Sequence, residues 1–489
     1  MKELITINSW RLGSFNTKNC PTDFYYTKVA QRFYDILRLT PFGKDCDKFI
    51  CAQMALTLTH YLEDVISDFG LWAAFISKHR ELYGKYLPFY TIDEENYYSD
   101  EINPEDVRFL IWMVLQKSKD ETFYNPENPY LCEAADKIYA EMEKLFEKAP
   151  INENMIPEQI NTELFNDFFY VKSLCTKLME TYLIAPFTDQ KRMDVEKSME
   201  DLLADLNDQD FNYAVDSILL FNKKTGPLNL YAKDWLAALL AHWGKEEESK
   251  QIAAIESLPY DIYRVESYDD KNLKLETATD DEIMLPRNSF NNLPDATLAE
   301  CKHFLAALTK YQGTWQTNGI TSWLNASEAF QTRKEQGRPK DASLNVNLRI
   351  LEANSGHPLL YFKDYQEFYD WMEQHIGFDK KYQHPKDFVN EKYLAVYVPQ
   401  EKDMAVMVNG ALIIKDERNP YYDRVKAEEE GINYLVSSET VADEPLHYLI
   451  DHHQLPDACI NSIHGLERGK QLVQENIDFI ARFMRVSNY

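Results

Sequence analysis

The sequence predicts an α+β, multidomain protein: a mainly helical N-terminal half followed by an α+β C-terminal half with a buried mixed sheet. Three observations carry this. Apolar residues recur at helical spacing through about residue 258. Two-residue alternation begins just past Leu258-Pro259. Short continuous apolar runs follow, such as Leu394-Ala-Val-Tyr-Val398, which suit strands buried on both faces. These changes divide the chain into a helical domain over 1–258, with a sub-boundary near 150, a small hairpin-plus-helix module over 259–330 and an α+β domain over 331–489.

In chain order, Thr22-Asp23 can cap a helix whose apolar face is Tyr26, Val29, Ala30, Phe33, Ile36 and Leu37. A longer pattern from about Asp47 to Tyr83 is bent or divided at Gly70. Within it, Leu71-Trp-Ala-Ala-Phe-Ile76 is apolar all round, which predicts burial. Asn103-Pro104-Glu105-Asp106 reads as a helix start, because Pro suits the first turn and carboxylates suit the positive helix end. Phe109–Leu115 continues that helix, and Leu131–Lys148 forms another. Phe165–Tyr182 and Val195–Leu206 are helical, and a Gly244 turn joins Asp234–Trp243 to Glu246–Ile255.

Ile262–Tyr268 and Leu273–Thr277 alternate around Asp269–Asn272, a hairpin, with Ile283–Leu285 as a third strand. A helix is expected over Ala296–Thr309. Asn318-Gly319 suits a tight turn between Thr314–Gln316 and Ile320–Trp323. Arg333–Lys340 is the least core-like segment and reads as a mobile loop or linker. Leu348–Leu351, Leu394–Val398, Met404–Val408 and Ala411–Ile414 read as strands, with Asn409-Gly410 as a hairpin turn. Tyr365–His375, Pro445–Ile450 and Leu466–Met484 read as helices.

Charge narrows the partners. The 489 residues carry 52 Lys plus Arg against 80 Asp plus Glu, a formal charge of −28. That field repels nucleic-acid phosphates and anionic membrane surfaces, so neither is expected as a partner. A protein with a basic surface is the partner the charge would attract. The seven cysteines form no Cys-x-x-Cys, so they give no zinc-ribbon or thioredoxin-like motif. Scattered thiols fit a reducing cytoplasm, which is the expected location. The first residues lack a sustained apolar segment, and the strongest apolar run, Phe109–Leu115, is too short to span a bilayer.

Two constellations could carry chemistry. His60, Glu63 and Asp64, with Asp68, lie on or beside one face of a helix, where facing carboxylates and imidazoles can build catalytic or di-metal sites. His60, Glu63 and Asp64 are therefore the candidate catalytic residues. The plainer alternative is capping of the next segment by Asp64 or Asp68. Asp451-His452-His453 spells the signature triplet of a phosphoesterase superfamily whose chemistry uses two metals, which makes these three the candidate metal ligands. The accompanying Asp-x-Asp at an early strand end is missing, and a helix C-terminus favours His without any metal. No Gly-x-Ser-x-Gly elbow, P-loop or Gly-x-Gly-x-x-Gly is present, and only 15 glycines are available for such loops. No cofactor is expected.

Several stretches resemble a family of uncharacterised proteins found in Bacteroidota. They are Pro21-Thr-Asp-Phe-Tyr-Tyr26, Tyr61-Leu-Glu-Asp-Val-Ile-Ser67 with Trp72 and Phe75, Leu82-Tyr-Gly84 with Leu87-Pro-Phe-Tyr90, and Asp100-Glu-Ile-Asn103 with Glu105-Asp106. They span roughly the first quarter of the chain. The resemblance implies a bacterial, intracellular protein and transfers no catalytic residue, although Glu63 and Asp64 sit inside the best-matching stretch. The first functional reading is a non-catalytic interaction or accessory protein. The second is a metal-dependent hydrolase using the His60/Glu63/Asp64 cluster or Asp451 and His452. The third is an acidic mimic of nucleic acid.

Overall fold

The computed structural model describes residues 4–15, 18–118, 122–155, 161–200, 206–290, 293–324, 327–337, 341–378, 390–437 and 439–485. The chain forms two compact units: Met1–Asp120 with Pro126–Glu335, and Glu121–Asn125 with Gln336–Tyr489.

The first unit opens with helices, as the periodicity requires. After α1 (Ile7–Arg11) come α2 (Asp23–Leu39), α3 (Pro41–Asp45), α4 (Lys48–Ile66), α5 (Leu71–Tyr83), α6 (Pro104–Lys117) and α7 (Pro129–Phe146). Gly70 separates α4 from α5 at φ 84°, a left-handed conformation that suits Gly. Helix α4 packs against α2 and α6. The all-apolar start of α5 is buried, with Trp72 and Phe75 among the largest fully buried side chains. Then follow α8 (Phe168–Met179), α9 (Ala185–Met199) and α10 (Asp208–Asn222). A two-residue ladder, β1 (Lys224–Thr225) with β2 (Leu230–Tyr231), precedes the helical hairpin of α11 (Ala232–His242) and α12 (Glu246–Ala253). The 201–205 part of the Val195–Leu206 helix lies outside the described residues.

The larger sheet of this unit begins close to where alternation begins. β3 (Glu256–Tyr268), β4 (Asn272–Glu276) and β5 (Glu282–Pro286) form an antiparallel meander. After α13 (Asp295–Glu300), β6 (His303–Tyr311) and β7 (Thr314–Leu324) complete a five-stranded sheet in the order β5-β4-β3-β6-β7. The terminal strands β5 and β7 approach each other, so the sheet curls around its own core of Leu273, Leu275, Leu285, Phe304 and Leu308. Its other face meets α10 through Ile262, Leu305, Ala214 and Ile218.

Two expectations fail here. The helix expected over Ala296–Thr309 stops at Glu300, and the rest is β6, whose residues are buried on both faces. A short run apolar on every side carries no period, so pairing with β3 and β7 decided its state. Asn318-Gly319 is also no hairpin turn. It lies inside β7 at a register shift opposite Leu305 and Ala307, with Gly319 at φ 99°. That is the behaviour of a bulge, where a strand glycine allows close approach. Ser217 occupies that space: a Cβ on Gly319 would lie 2.9 Å from its Oγ.

At the join of the units, α14 (Ser327–Gly337) replaces the loop expected from Arg333; residues 338–340 lie outside the described residues. Arg333 pairs with Asp261, and Lys334 with Glu276 and Asp280, so its charges find partners on the sheet of the first unit.

The second unit holds α15 (Asp341–Ala353), β8 (Leu359–Asp364), α16 (Tyr365–Ile376), β9 (Lys392–Tyr397), β10 (Ala405–Met407), α17 (Gly410–Ile413), α18 (Arg424–Val436), α19 (Asp443–Asp451), α20 (Leu466–Gln474) and α21 (Ile477–Met484). The sheet order is β10-β9-β8, antiparallel throughout. Leu348–Leu351 is helical in α15, not a strand. Asn409-Gly410 caps α17 instead of turning a hairpin: Asn409 sits at φ 60° and the chain bends into a helical turn over Ala411–Ile413. Gly410 is tight against Ala395, where a Cβ would lie 2.9 Å from that residue's Cβ. The C-terminal segment is two helices, interrupted at Glu475-Asn476.

Candidate functional site

His60, Glu63 and Asp64 fall three and four residues apart on α4, so the helix brings them to one side. That side faces inward. The three are 4%, 1% and 1% exposed.

Asp64 reaches past the end of its own helix to the start of the next. Its Oδ1 accepts from the N–H groups of Gly70 (2.8 Å) and Leu71 (3.1 Å), and its Oδ2 from the N–H of Trp72 (2.8 Å) and the Tyr182 hydroxyl (2.9 Å). The first N–H groups of a helix have no partner within it. Gly70 has no side chain to cap α5, so a carboxylate from six residues upstream does so. Burial still outweighs these four donors and pushes the Asp64 carboxyl up to about 6. The capping alternative therefore describes Asp64. Asp68 instead sits exposed, 3.5 Å from His242 Nε2.

Glu63 holds Asn152, whose Nδ2 donates to Oε1 at 2.9 Å. The Asn152 backbone N–H donates to Ser67 Oγ, and Cys20 Sγ donates to Asn152 Oδ1, both at 2.9 Å. Glu63 Oε2 is buried and has no hydrogen-bond partner. Burial pushes this carboxyl up to about 8; Asn152 and Thr22 oppose the shift, and Asp23 and Asp64 add to it. Burial thus favours the neutral form of this carboxyl.

His60 is stacked between Trp10 (centroids 3.8 Å apart, planes at 8°) and Tyr182 (5.8 Å, 11°). Its Nε2 has no hydrogen-bond partner and faces Gly13, where a Cβ would lie 2.7 Å from it. Burial brings the imidazole down to about 3, with the Trp10 carbonyl opposing. It acts as a flat aromatic spacer.

A fourth buried group, Asp106 of α6, belongs to the same framework and escaped the sequence reading. Its Oδ2 accepts from the Tyr61 hydroxyl (2.7 Å), Trp72 Nε1 (2.9 Å) and Asn103 Nδ2 (3.0 Å), and its Oδ1 from the Tyr97 hydroxyl (2.9 Å). It is fully buried, which pushes its carboxyl up to about 7 against those four donors. Trp72 is thus held at both ends, by Asp64 through its backbone N–H and by Asp106 through its indole. The signal for Asp106 was its phase: it lies three, four and seven residues before Phe109, Leu110 and Met113, on the buried stripe.

Chemistry at these acids would need an opening. A cavity of about 450 Å³ in this unit is lined by Ala73, Ile76, Ser77, Arg80, Tyr86 and His242 among others, and by none of the four buried groups above.

The Asp451–His453 triplet is exposed at the end of α19. His452 stacks on Tyr448 (3.9 Å, 21°), and its Nδ1 lies 2.9 Å from the Tyr448 carbonyl. His453, at φ 54°, lines a cavity of about 290 Å³ with Lys415, Asp457 and several apolar side chains. Among the described residues, no three His, Cys, Asp or Glu side chains are grouped to hold a metal ion. Nor is any helix among them long and apolar enough to cross a membrane.

No curated protein and no solved structure matches the chain. A family model described as a protein of unknown function (DUF3843) matches residues 9–274 and 314–486, spanning all the candidate positions on α4, α6 and α19. With nearly its whole length matched, the chain belongs to the DUF3843 family.

Proposed function

We propose that the protein is a non-catalytic interaction or accessory protein that works inside the cell through its acidic surface. One observation carries this reading. The carboxylates best placed to be catalytic are spent on structure: Asp64 and Asp106 direct every carboxylate oxygen at a donor inside the fold, and Glu63 ties down Asn152. A catalytic acid or base must reach the proton it moves, and these groups are at most 1% exposed. The formal charge of −28 favours a partner with a basic surface.

The test is purification of the tagged full chain from its native cells at low and moderate salt, with mass spectrometry of what remains bound. A stoichiometric protein partner that survives moderate salt is expected. Metal-dependent phosphoester hydrolysis by the pure protein, abolished by Glu63→Gln or His452→Ala, would overturn the reading.

A further inference from the structure

We propose that the cavity of about 290 Å³ in the second unit binds a small apolar monocarboxylate, held by Lys415, His453 and Gln474. The site shares no residue with the buried acids of α4 and α6, and it stands apart from the reading above.

His453 occupies a position that the backbone favours for glycine. Helix α19 ends in a paired turn: the His453 N–H donates to the Ile450 carbonyl (3.2 Å) and the Gln454 N–H to the Leu449 carbonyl (3.0 Å). The first of these two donors must adopt a left-handed conformation, and His453 does so at φ 54°. Glycine is the usual residue there, because a Cβ is costly in that conformation. Strain of this kind, held at one residue, points to a use for its side chain. The His453 side chain lines the cavity, as does that of Gln474. Neither the His453 ring nor the Gln474 amide has a hydrogen-bond partner among the described residues.

The floor of the cavity is apolar. Leu435 of α18, Val473 of α20 and Ile477 of α21 form it, with Pro456 and Ala458 alongside, and all five are buried. Segment 453–458 lies close on α18 where Gly431 leaves room: a Cβ there would lie 3.0 Å from Pro456 Cγ. The rim is polar. Lys415 Nζ donates to Asp457 Oδ1 at 2.7 Å, and the Tyr422 hydroxyl donates to Oδ2 at 3.0 Å. Both Asp457 oxygens are thus engaged within the fold, while an ammonium keeps two further protons. The rim therefore presents donors: the Lys415 ammonium, an imidazole N–H of His453 and the Gln474 amide.

Donors above an apolar floor call for an acceptor on an apolar body. A carboxylate suits them, because it accepts charge-assisted bonds and takes several donors at once. The Asp457 charge beside the rim disfavours a second negative group, so one carboxylate is expected. A volume of about 290 Å³ lies at the lower edge of the roughly 300–1,000 Å³ of small-molecule sites, which limits the body to one ring or a short chain.

Titration calorimetry of the full chain with phenylacetate and with octanoate tests the proposal. At least one should bind saturably, one to one, with a Kd below about 1 mM. Acetate, which lacks the body, and the matching amide, which lacks the charge, should each bind at least about tenfold more weakly. Lys415→Met and His453→Gly should each weaken binding about tenfold. His453→Gly should at the same time raise the urea midpoint, because glycine suits the left-handed turn. That opposite movement separates a ligand contact from a structural role. No saturable binding of either acid, equal binding of the amide, an affinity unmoved by Lys415→Met or by His453→Gly, or a urea midpoint lowered by His453→Gly would each overturn the proposal.

Discussion

At the scale of single residues, three buried carboxyls set how stability responds to pH. Glu63, Asp64 and Asp106 are raised from ordinary values of 4.5, 3.8 and 3.8 to about 8, 6 and 7. The folded chain therefore holds protons that the unfolded chain has released. The stability they confer is full below about pH 4 and is lost as pH rises through those folded values. His60 runs the other way: held near 3 in the fold, it disfavours folding as pH falls below 6.5. Thermal melts of Glu63→Gln against the wild type isolate one term. The variant should gain on the wild type between pH 5 and pH 9, since its amide mimics the protonated acid; a constant difference would refute this. Asp64→Ala strands three helix N–H groups and the Tyr182 hydroxyl in the interior. We expect a loss of about 3 kcal/mol in urea unfolding, and a loss below about 1 kcal/mol would show that the cap matters little. Glu63 and Asp64 were legible as part of a polar cluster inside an apolar helix; Asp106 was not. Capping by Asp64 or Asp68 was legible as one alternative; which of the two does it depends on how the chain turns at Gly70.

At the scale of elements, long helices with one apolar stripe are legible from the sequence, whereas some short segments are not. α2, α4, α5, α6, α7 and the α11/α12 hairpin fall where the 3.6-residue period puts them. β6 carries the apolar content of a helix, and Leu348–Leu351 that of a strand, because stretches this short do not fix a period. Both Asn-Gly pairs suit hairpin turns by sequence, yet one bulges a strand and the other caps a helical turn. The dipeptide supplies left-handed conformations; the neighbours decide what they are used for. Glycines separate the same way. A Cβ on Gly469 of α20 would lie 1.9 Å from the Ile460 carbonyl oxygen, whereas one on Gly84 meets nothing within 4 Å. Gly469→Ala should cost about 2 to 3 kcal/mol by overpacking and Gly84→Ala about 1 kcal/mol through its positive φ. Chemical denaturation of the two variants checks the order, and equal losses would refute it.

At the scale of the whole molecule, the charge is the dominant physical fact. A chain at −28 repels itself most when compact. Raising sodium chloride to about 0.5 M shortens the Debye length to a few ångströms, so the thermal midpoint should rise with salt. A flat or falling midpoint would mean that local ion pairs, such as those of Lys334 and Arg192, offset the net repulsion.

The sequence by itself determined the α+β class, the helical first half, the change from helices to a larger sheet near residue 258, the acidic field and the family. These depend on periods and sums, which are local or additive. Tertiary structure alone decided which of Asp64 and Asp68 caps α5, that Asp106 completes the support of Trp72, and that His60 is stacked between Trp10 and Tyr182. Each of these requires atoms from separate elements at hydrogen-bond or van der Waals distance. Spacing along one helix can place a side chain on a face, but only packing determines what that face meets.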